Sequence, residues 1–161
     1  MTGRTYTEGY EPNIEDLKRH LRITSDDLDD TLIPCLLAAV NACEHHIGKV
    51  IAQSEFTYEG PFTSILPLQS PLHKDALAVE VDGISADYKV EGSTLIPSVE
   101  GEEMTVVYTA GMKQVPFDIK AAILLIAAKL FNNPVDSVEA LPSVAKNLLA
   151  PYRSWGMDNG E

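Results

Sequence analysis

The chain is expected to fold as a mainly α protein with an inserted β region, an α+β class in which a small helical bundle carries β-hairpin strands between its second and third main helices. Three observations lead there. Apolar residues recur at helical spacing from Ile14 to Ile47, at twofold spacing between about residues 54 and 110, and in a dense helical block from Pro116 onward. The length of 161 residues suits one domain. An apolar share of 45% beside 22% charged residues suffices for a packed core and argues against wholesale disorder.

The first helix is signalled by Asn13, a good N-cap, ahead of Ile14, Leu17 and Leu21 on one face, and it should end near Arg22. Ser25 reads as the cap of a second helix. Its opening Asp26, Asp27, Asp29 and Asp30 would lie at the positive end of the helix dipole, and Leu28, Leu32, Leu36, Ala39, Cys43 and Ile47 would carry it to Gly48. Pro34 lacks a backbone N–H, so a kink or break is expected between residues 30 and 34.

Within the β region, Leu77, Val79 and Val81 alternate with polar or small residues up to Asp82-Gly83, a dipeptide suited to a tight hairpin turn. Ile84, Ala86, Tyr88 and Val90 resume the alternation as the returning strand. Met104, Val106 and Tyr108 predict a further strand closed by Ala110-Gly111, and Phe56 with Tyr58 an earlier, shorter one. Pro116 suits the first position of a helix reaching about Phe131. Few polar residues interrupt Ile119 to Phe131, and a helix apolar nearly all round must be buried nearly all round. The side turned away from the subunit's own core is therefore expected to meet another subunit, with Ile119, Ile123, Ile126 and Leu130 as candidate contacts. A last helix spans Ser143 to Ala150. Residues 1–12 read as a flexible N-terminal arm, 13–153 as a single domain and 154–161 as a tail.

Charge and composition narrow the function. Net charge is −12, and the excess is uneven: residues 1 to 111 carry 7 basic and 19 acidic side chains, residues 112 to 161 carry 5 of each. Such a surface repels phosphates, which excludes wrapping or sequence-reading of nucleic acid but allows a passive acidic surface beside DNA. The longest apolar block, Ala121 to Ala128, falls well short of the ~20 residues that span a bilayer. Met1-Thr-Gly-Arg lacks a signal-peptide pattern, so the protein is expected to stay in the cytoplasm of the producing cell.

No cofactor, metal or catalytic residues are expected. Cys35 and Cys43, eight apart on one helix, stand about 12 Å from each other at 1.5 Å per residue, too far for a disulfide. His45 and His46 are adjacent and point about 100° apart, so they cannot chelate one ion together. The Asp26 to Asp30 cluster lacks the glycine and terminal glutamate of a calcium loop. No nucleophile elbow, phosphate-binding glycine loop or zinc signature occurs.

Taken in order, Ile14-Glu-Asp-Leu-Lys-Arg-His-Leu-Arg22, Asp29-Asp30, Ala38-Ala39, Val106-Val-Tyr-Thr-Ala-Gly111, Val115-Pro-Phe-Asp-Ile-Lys-Ala-Ala-Ile123 and Leu148-Leu-Ala-Pro-Tyr-Arg153 resemble the head-to-tail connector family of tailed bacteriophages, also called head-completion or adaptor proteins. The resemblance implies a structural virion protein, not an enzyme. It further implies a ring of about twelve copies at the head-tail joint, fixed under the portal protein, facing the tail or a stopper protein and letting DNA pass without specific binding. The alternatives are another small joint protein such as a tail-completion subunit, or a ligand-binding or regulatory module. Tyr152, Arg153 and Trp155 are residue types enriched at interfaces, and they crowd just past the last helix. They are the candidate partner contacts, against the plainer reading that Trp155 folds back over the subunit's own core.

Overall fold

A computed structural model describes residues 2–7, 13–133 and 141–153. They fall into two compact units where the sequence suggests one domain: a sheet unit from 2–7 and 52–113, and a helical unit from 13–51, 114–133 and 141–153.

The helical unit opens with α1 (Ile14–Leu21), capped as expected: Asn13 Oδ1 accepts from the Glu15 amide at 2.9 Å. It ends at Arg22, whose left-handed conformation lets the Ile23 amide reach the Lys18 carbonyl at 2.9 Å. The next helix, α2 (Asp29–Ile47), starts four residues later than Ser25 predicts, with Leu28 at the cap position and no side-chain cap. The cause is Lys18. Its ammonium is buried between the carboxylates of Asp26 and Asp29, the latter at 2.7 Å, with Glu15 at 3.6 Å. A buried ammonium needs such counter-charges, and meeting them holds Asp26 in a turn ahead of the helix, where its carbonyl accepts from the Asp29 amide. No break follows at Pro34. The helix runs on continuously to Ile47, and the proline forgoes one bond, the one a residue 34 amide would give to the Asp30 carbonyl.

Helix α3 (Phe117–Asn132) begins one residue after Pro116, which occupies the cap position instead. Helix α4 (Ser143–Leu149) passes into a 3₁₀ turn, Ala150–Tyr152, that contains Pro151. Helix α3 packs on α2, α4 and α1. Leu17, Leu32, Ala39, Ile47, Ile119, Ala122, Ala127, Ala145 and Leu149 are fully buried.

In the sheet unit, β2 (Ser54–Pro61), β4 (Leu72–Val81) and β8 (Glu103–Ala110) form the middle of an antiparallel five-stranded sheet ordered β1-β2-β8-β4-β5, with β1 (Thr2–Tyr6) and β5 (Ile84–Ser85) as its edges. The N-terminal residues expected to be a flexible arm thus include a paired strand, Thr2 opposite Tyr58 through Tyr6 opposite Ser54. Arg4 helps to hold it. The guanidinium lies 4.6 Å from the Tyr6 ring and 5.4 Å from that of Phe56, and Nε donates to Ser54 Oγ at 3.0 Å.

The Asp82-Gly83 hairpin forms as predicted, both residues at positive φ (52° and 76°), which is what a type I′ turn requires. The returning strand is shorter than its alternation suggests. After Ser85 the chain leaves the large sheet. Tyr88 opens β6 (Tyr88–Glu91), which pairs with β7 (Thr94–Pro97), and β7 pairs in turn with β3 (Leu66–Pro67), giving a second sheet ordered β3-β7-β6. Leu95 is its fully buried centre, opposite both Leu66 and Val90.

Register sorts the large sheet into two faces. Phe56, Val79, Val81, Met104, Val106, Tyr108 and Ala110 lie on one and are buried, with the Phe56 and Tyr108 rings stacked at 5.4 Å. The other face carries Thr5, Glu55, Thr57, Glu59, Ala78, Glu80, Thr105, Val107 and Thr109.

Candidate subunit and partner interfaces

On α3 the buried residues Ile119, Ala122, Ile123, Ile126 and Ala127 make one face at helical spacing, and Leu130 continues it half-buried. The isoleucines named from sequence therefore hold the helical unit's own core, since this is the side on which α2 and α4 pack. The opposite side is apolar too. Phe117, Ala121, Leu124, Ala128 and Phe131 follow one another at alternating steps of four and three residues, a stripe about half a turn away from the core face. Four of them are half-buried, and Phe117 is 87% exposed. The helix has apolar residues on two sides, as its sequence suggests, and the candidate subunit contacts Ile119, Ile123 and Ile126 are on the side buried within the unit. The dividing signal was available, because lysines 120 and 129 separate the two stripes.

Phe117 stands at the rim of a shallow depression of about 490 Å³ that Val115, Pro116, Lys120 and Tyr152 also line. The Lys120 ammonium lies 5.8 Å from the Phe117 ring. Of the three predicted partner contacts, Tyr152 is half-buried in this depression and Arg153 is exposed directly after it, while Trp155 lies outside the described residues. Arg153 and Lys146 are near enough to His46 that their charges, after its desolvation, hold the imidazole below its usual pKa. The end of α4 therefore presents positive charge, in contrast to the acidic first part of the chain.

The sheet unit exposes apolar side chains of its own: Ile84 at 72%, Ile65 at 58% and Val99 at 48%. Ile84 follows the hairpin turn at the sheet's edge, opposite Val81. The Asp82 carboxylate accepts from the amides of Glu102 and Glu103 at 3.0 and 2.9 Å, which draws the 98–103 loop up to the turn. Glu80, Asp82, Glu100, Glu102 and Glu103 are all exposed on this hairpin and on the loop that its turn holds.

The remaining sequence candidates have structural surroundings. Asp26 and Asp29 serve Lys18, whose pKa is raised first by hydrogen bonding to Asp26. Cys43 is fully buried, and desolvation, with the Glu44 charge second, pushes its thiol up to about 12. His73 Nε2 lies 2.8 Å from the Gly111 carbonyl. Among the described residues no group of three or more His, Cys, Asp or Glu side chains is placed to hold a metal ion, and no helix is long and apolar enough to cross a membrane.

Both units expose large apolar side chains, Leu28, Ile33, Phe117 and Val144 in the helical unit and Ile65, Ile84 and Val99 in the sheet unit. Residues 12–149 match the family described as Phage gp6-like head-tail connector protein, and the chain belongs to that family. It is a structural protein of the head-tail joint, not an enzyme. A comparison with curated proteins gives no match. Among solved structures, the fold is similar to chains from the neck of an empty GTA particle computed with C6 symmetry (19% identity), the neck of a native GTA particle computed with C12 symmetry (17%) and the virion of a native gene transfer agent particle (19%). Each aligns with a TM-score of 0.71 over 99% of this chain and 98% of the other. At these identities the likeness is one of fold.

Proposed function

We propose that copies of this chain close into a ring of about twelve at the head-tail joint, one side on the portal and the other on the tail or a stopper protein, with DNA passing through. The observation that carries this reading is the family match over residues 12–149, joined to a fold shared from end to end with a chain of a neck computed with C12 symmetry. A closed ring needs heterologous contacts, in which one surface of a subunit meets a different surface of the next. The second apolar stripe of α3, from Phe117 to Phe131, supplies one such surface. The acidic excess suits a channel wall, because carboxylates offer phosphates no attraction.

Portal attachment is assigned to the segment that follows α4, where Tyr152 and Arg153 begin a tail that includes Trp155. Native mass spectrometry of the full chain, alone at high concentration and with its portal, is expected to give a ring of about a dozen copies. A strict monomer in both conditions overturns the ring. Deleting residues 154–161, which removes Trp155 and keeps Tyr152 and Arg153, is expected to leave the ring and its melting temperature nearly unchanged while abolishing portal binding. Unfolding of the truncated chain would instead make the segment part of the core.

A further inference from the structure

We infer that the hairpin tip of one copy, with Ile84 at its apex, docks into the Phe117 depression of the next copy and forms the head-to-tail contact of the ring. The inference rests on the ring reading and names the two surfaces that meet.

Each surface is incomplete alone. Phe117 is 87% exposed at the rim of a depression whose lining includes Val115, Pro116 and Tyr152, and Ile84 is 72% exposed on a two-residue edge strand. Ile84 is opposite Val81, which is buried, yet is itself exposed on the outermost strand of the sheet. Ile84 offers a branched aliphatic side chain next to a tight turn, and Val115, Pro116, Phe117 and Tyr152 offer apolar surface against which it can be removed from water.

Charge indicates which partner fits. Glu80, Asp82, Glu100, Glu102 and Glu103 are exposed on the hairpin and on the loop that its turn holds, and no Lys or Arg occurs from residue 90 to 112 or from 75 to 88. The receiving side carries Lys120 in the depression, Arg153 next to Tyr152, and Lys146 on α4, against Asp118 as the carboxylate in the lining. An acidic tip and a basic receiver on the same chain repel their own kind and attract each other, which selects head-to-tail over tip-to-tip association. The hairpin is an anchor within a larger contact, since a stable interface buries about 800 Å² on each partner.

The test is disulfide trapping in a Cys35→Ser background, where the remaining Cys43 is fully buried. The double variant Ile84→Cys, Phe117→Cys is expected to give a ladder of covalent oligomers on mild oxidation. An equal mixture of the two single variants is expected to stop at heterodimers. Each single variant alone is expected to stay uncrosslinked. Self-crosslinking of either single variant, or rings by native mass spectrometry without any ladder, overturns the contact while leaving the ring reading intact. Absence of rings with and without portal overturns both. In a separate arm, Ile84→Asp is expected to raise the concentration for ring assembly at least tenfold with the monomer's melting temperature unchanged. A Phe117→Asp chain that still forms rings but loses the portal would show that the depression serves the portal and not a second copy.

Discussion

In the helical unit, Leu17, Leu32, Ile119 and Ile126 are fully or almost fully buried, and each lies on a helix whose apolar spacing is set within the helix itself. In the sheet unit, Val106 is equally buried, but it is placed by Tyr58 on one side and Val79 on the other, partners far away in sequence. Local signals can therefore locate most of the first core, whereas the second depends on which strands meet. The same contrast extends to the surfaces. The helical unit has exposed Phe117 on the second stripe of a helix, and the sheet unit has exposed Ile84 at the start of an edge strand.

The largest effects are expected in the two cores. Ile126→Ala and Met104→Ala each remove a side chain that is 1% exposed, one per unit, and each is expected to cost ~2–5 kcal/mol. Followed residue by residue with amide signals in urea, Ile126→Ala should lower the midpoint of the helical amides more than that of the sheet amides, and Met104→Ala the reverse. Equal shifts everywhere would mean that the two units unfold as one cooperative block.

Two glycines sharpen the account of the sheet unit. Gly111 has φ of 132°, and a Cβ there would lie 2.5 Å from Gln53 Cα and 2.8 Å from Gln53 N, both backbone atoms that cannot swing aside. Gly111→Ala is expected to cost ~2–3 kcal/mol or more. Gly83 also has positive φ, but open space surrounds it, so Gly83→Ala should cost only ~1–2 kcal/mol from conformation alone. Comparable losses at the two sites, measured by urea denaturation, would rule out close backbone approach as the distinguishing cause.

These particulars also show what could be read from the chain beforehand. Asn13, Asp82-Gly83 and the alternation from Met104 to Tyr108 are local devices, and each forms the element it announces. Ser25 misled because a distant group intervened: Lys18 draws Asp26 and Asp29 to itself, and that delays the helix past the cap. The second sheet had a readable sign, Gly92-Ser93 between Val90-Glu91 and Thr94-Leu95, a two-residue hairpin pattern. Continued alternation through Tyr88 and Val90 masked it. The N-terminal strand had no comparable local sign, since its pairing depends on β2 and on Arg4 reaching Ser54 and the Phe56 ring. For the interfaces, the excess of apolar residues on α3 was legible, but which of its sides met α2 was a matter of tertiary packing.

That dependence of β1 on its side-chain anchors can be measured. Ser54 is fully buried. Its hydroxyl donates to the Ala52 carbonyl at 2.8 Å and accepts from Arg4 Nε at 3.0 Å. Ser54→Ala removes the acceptor from that Arg4 nitrogen and is expected to cost ~1–3 kcal/mol, the range for a buried polar group that loses its partner. Hydrogen exchange should accelerate more at the Thr2–Tyr6 amides than in β4. A uniform acceleration would mean that Ser54 supports the whole sheet and not the strand.

The smallest effect concerns the charge at the end of α4, and it tests whether the basic receiver surface is assembled as described. His46 is half-buried on α2, and desolvation first, then the charges of Arg153 and Lys146, hold its pKa below the usual imidazole value. A histidine whose folded pKa lies below its unfolded one takes up a proton more readily when unfolded. Stability is therefore undiminished above about pH 6.5 and declines as pH falls from there to the folded pKa, below which the loss is constant. Titration of the His46 ring signal by NMR is expected to give a midpoint below 6.5. Arg153→Ala should raise that midpoint, Lys146→Ala should raise it by less, and the double change should leave a residual depression from burial alone. The acid decline in stability should shrink in the same order. If Arg153→Ala leaves the His46 midpoint where it was, the guanidinium does not lie over the end of α2, and the positive surface proposed to receive the acidic hairpin loses one of its three cations.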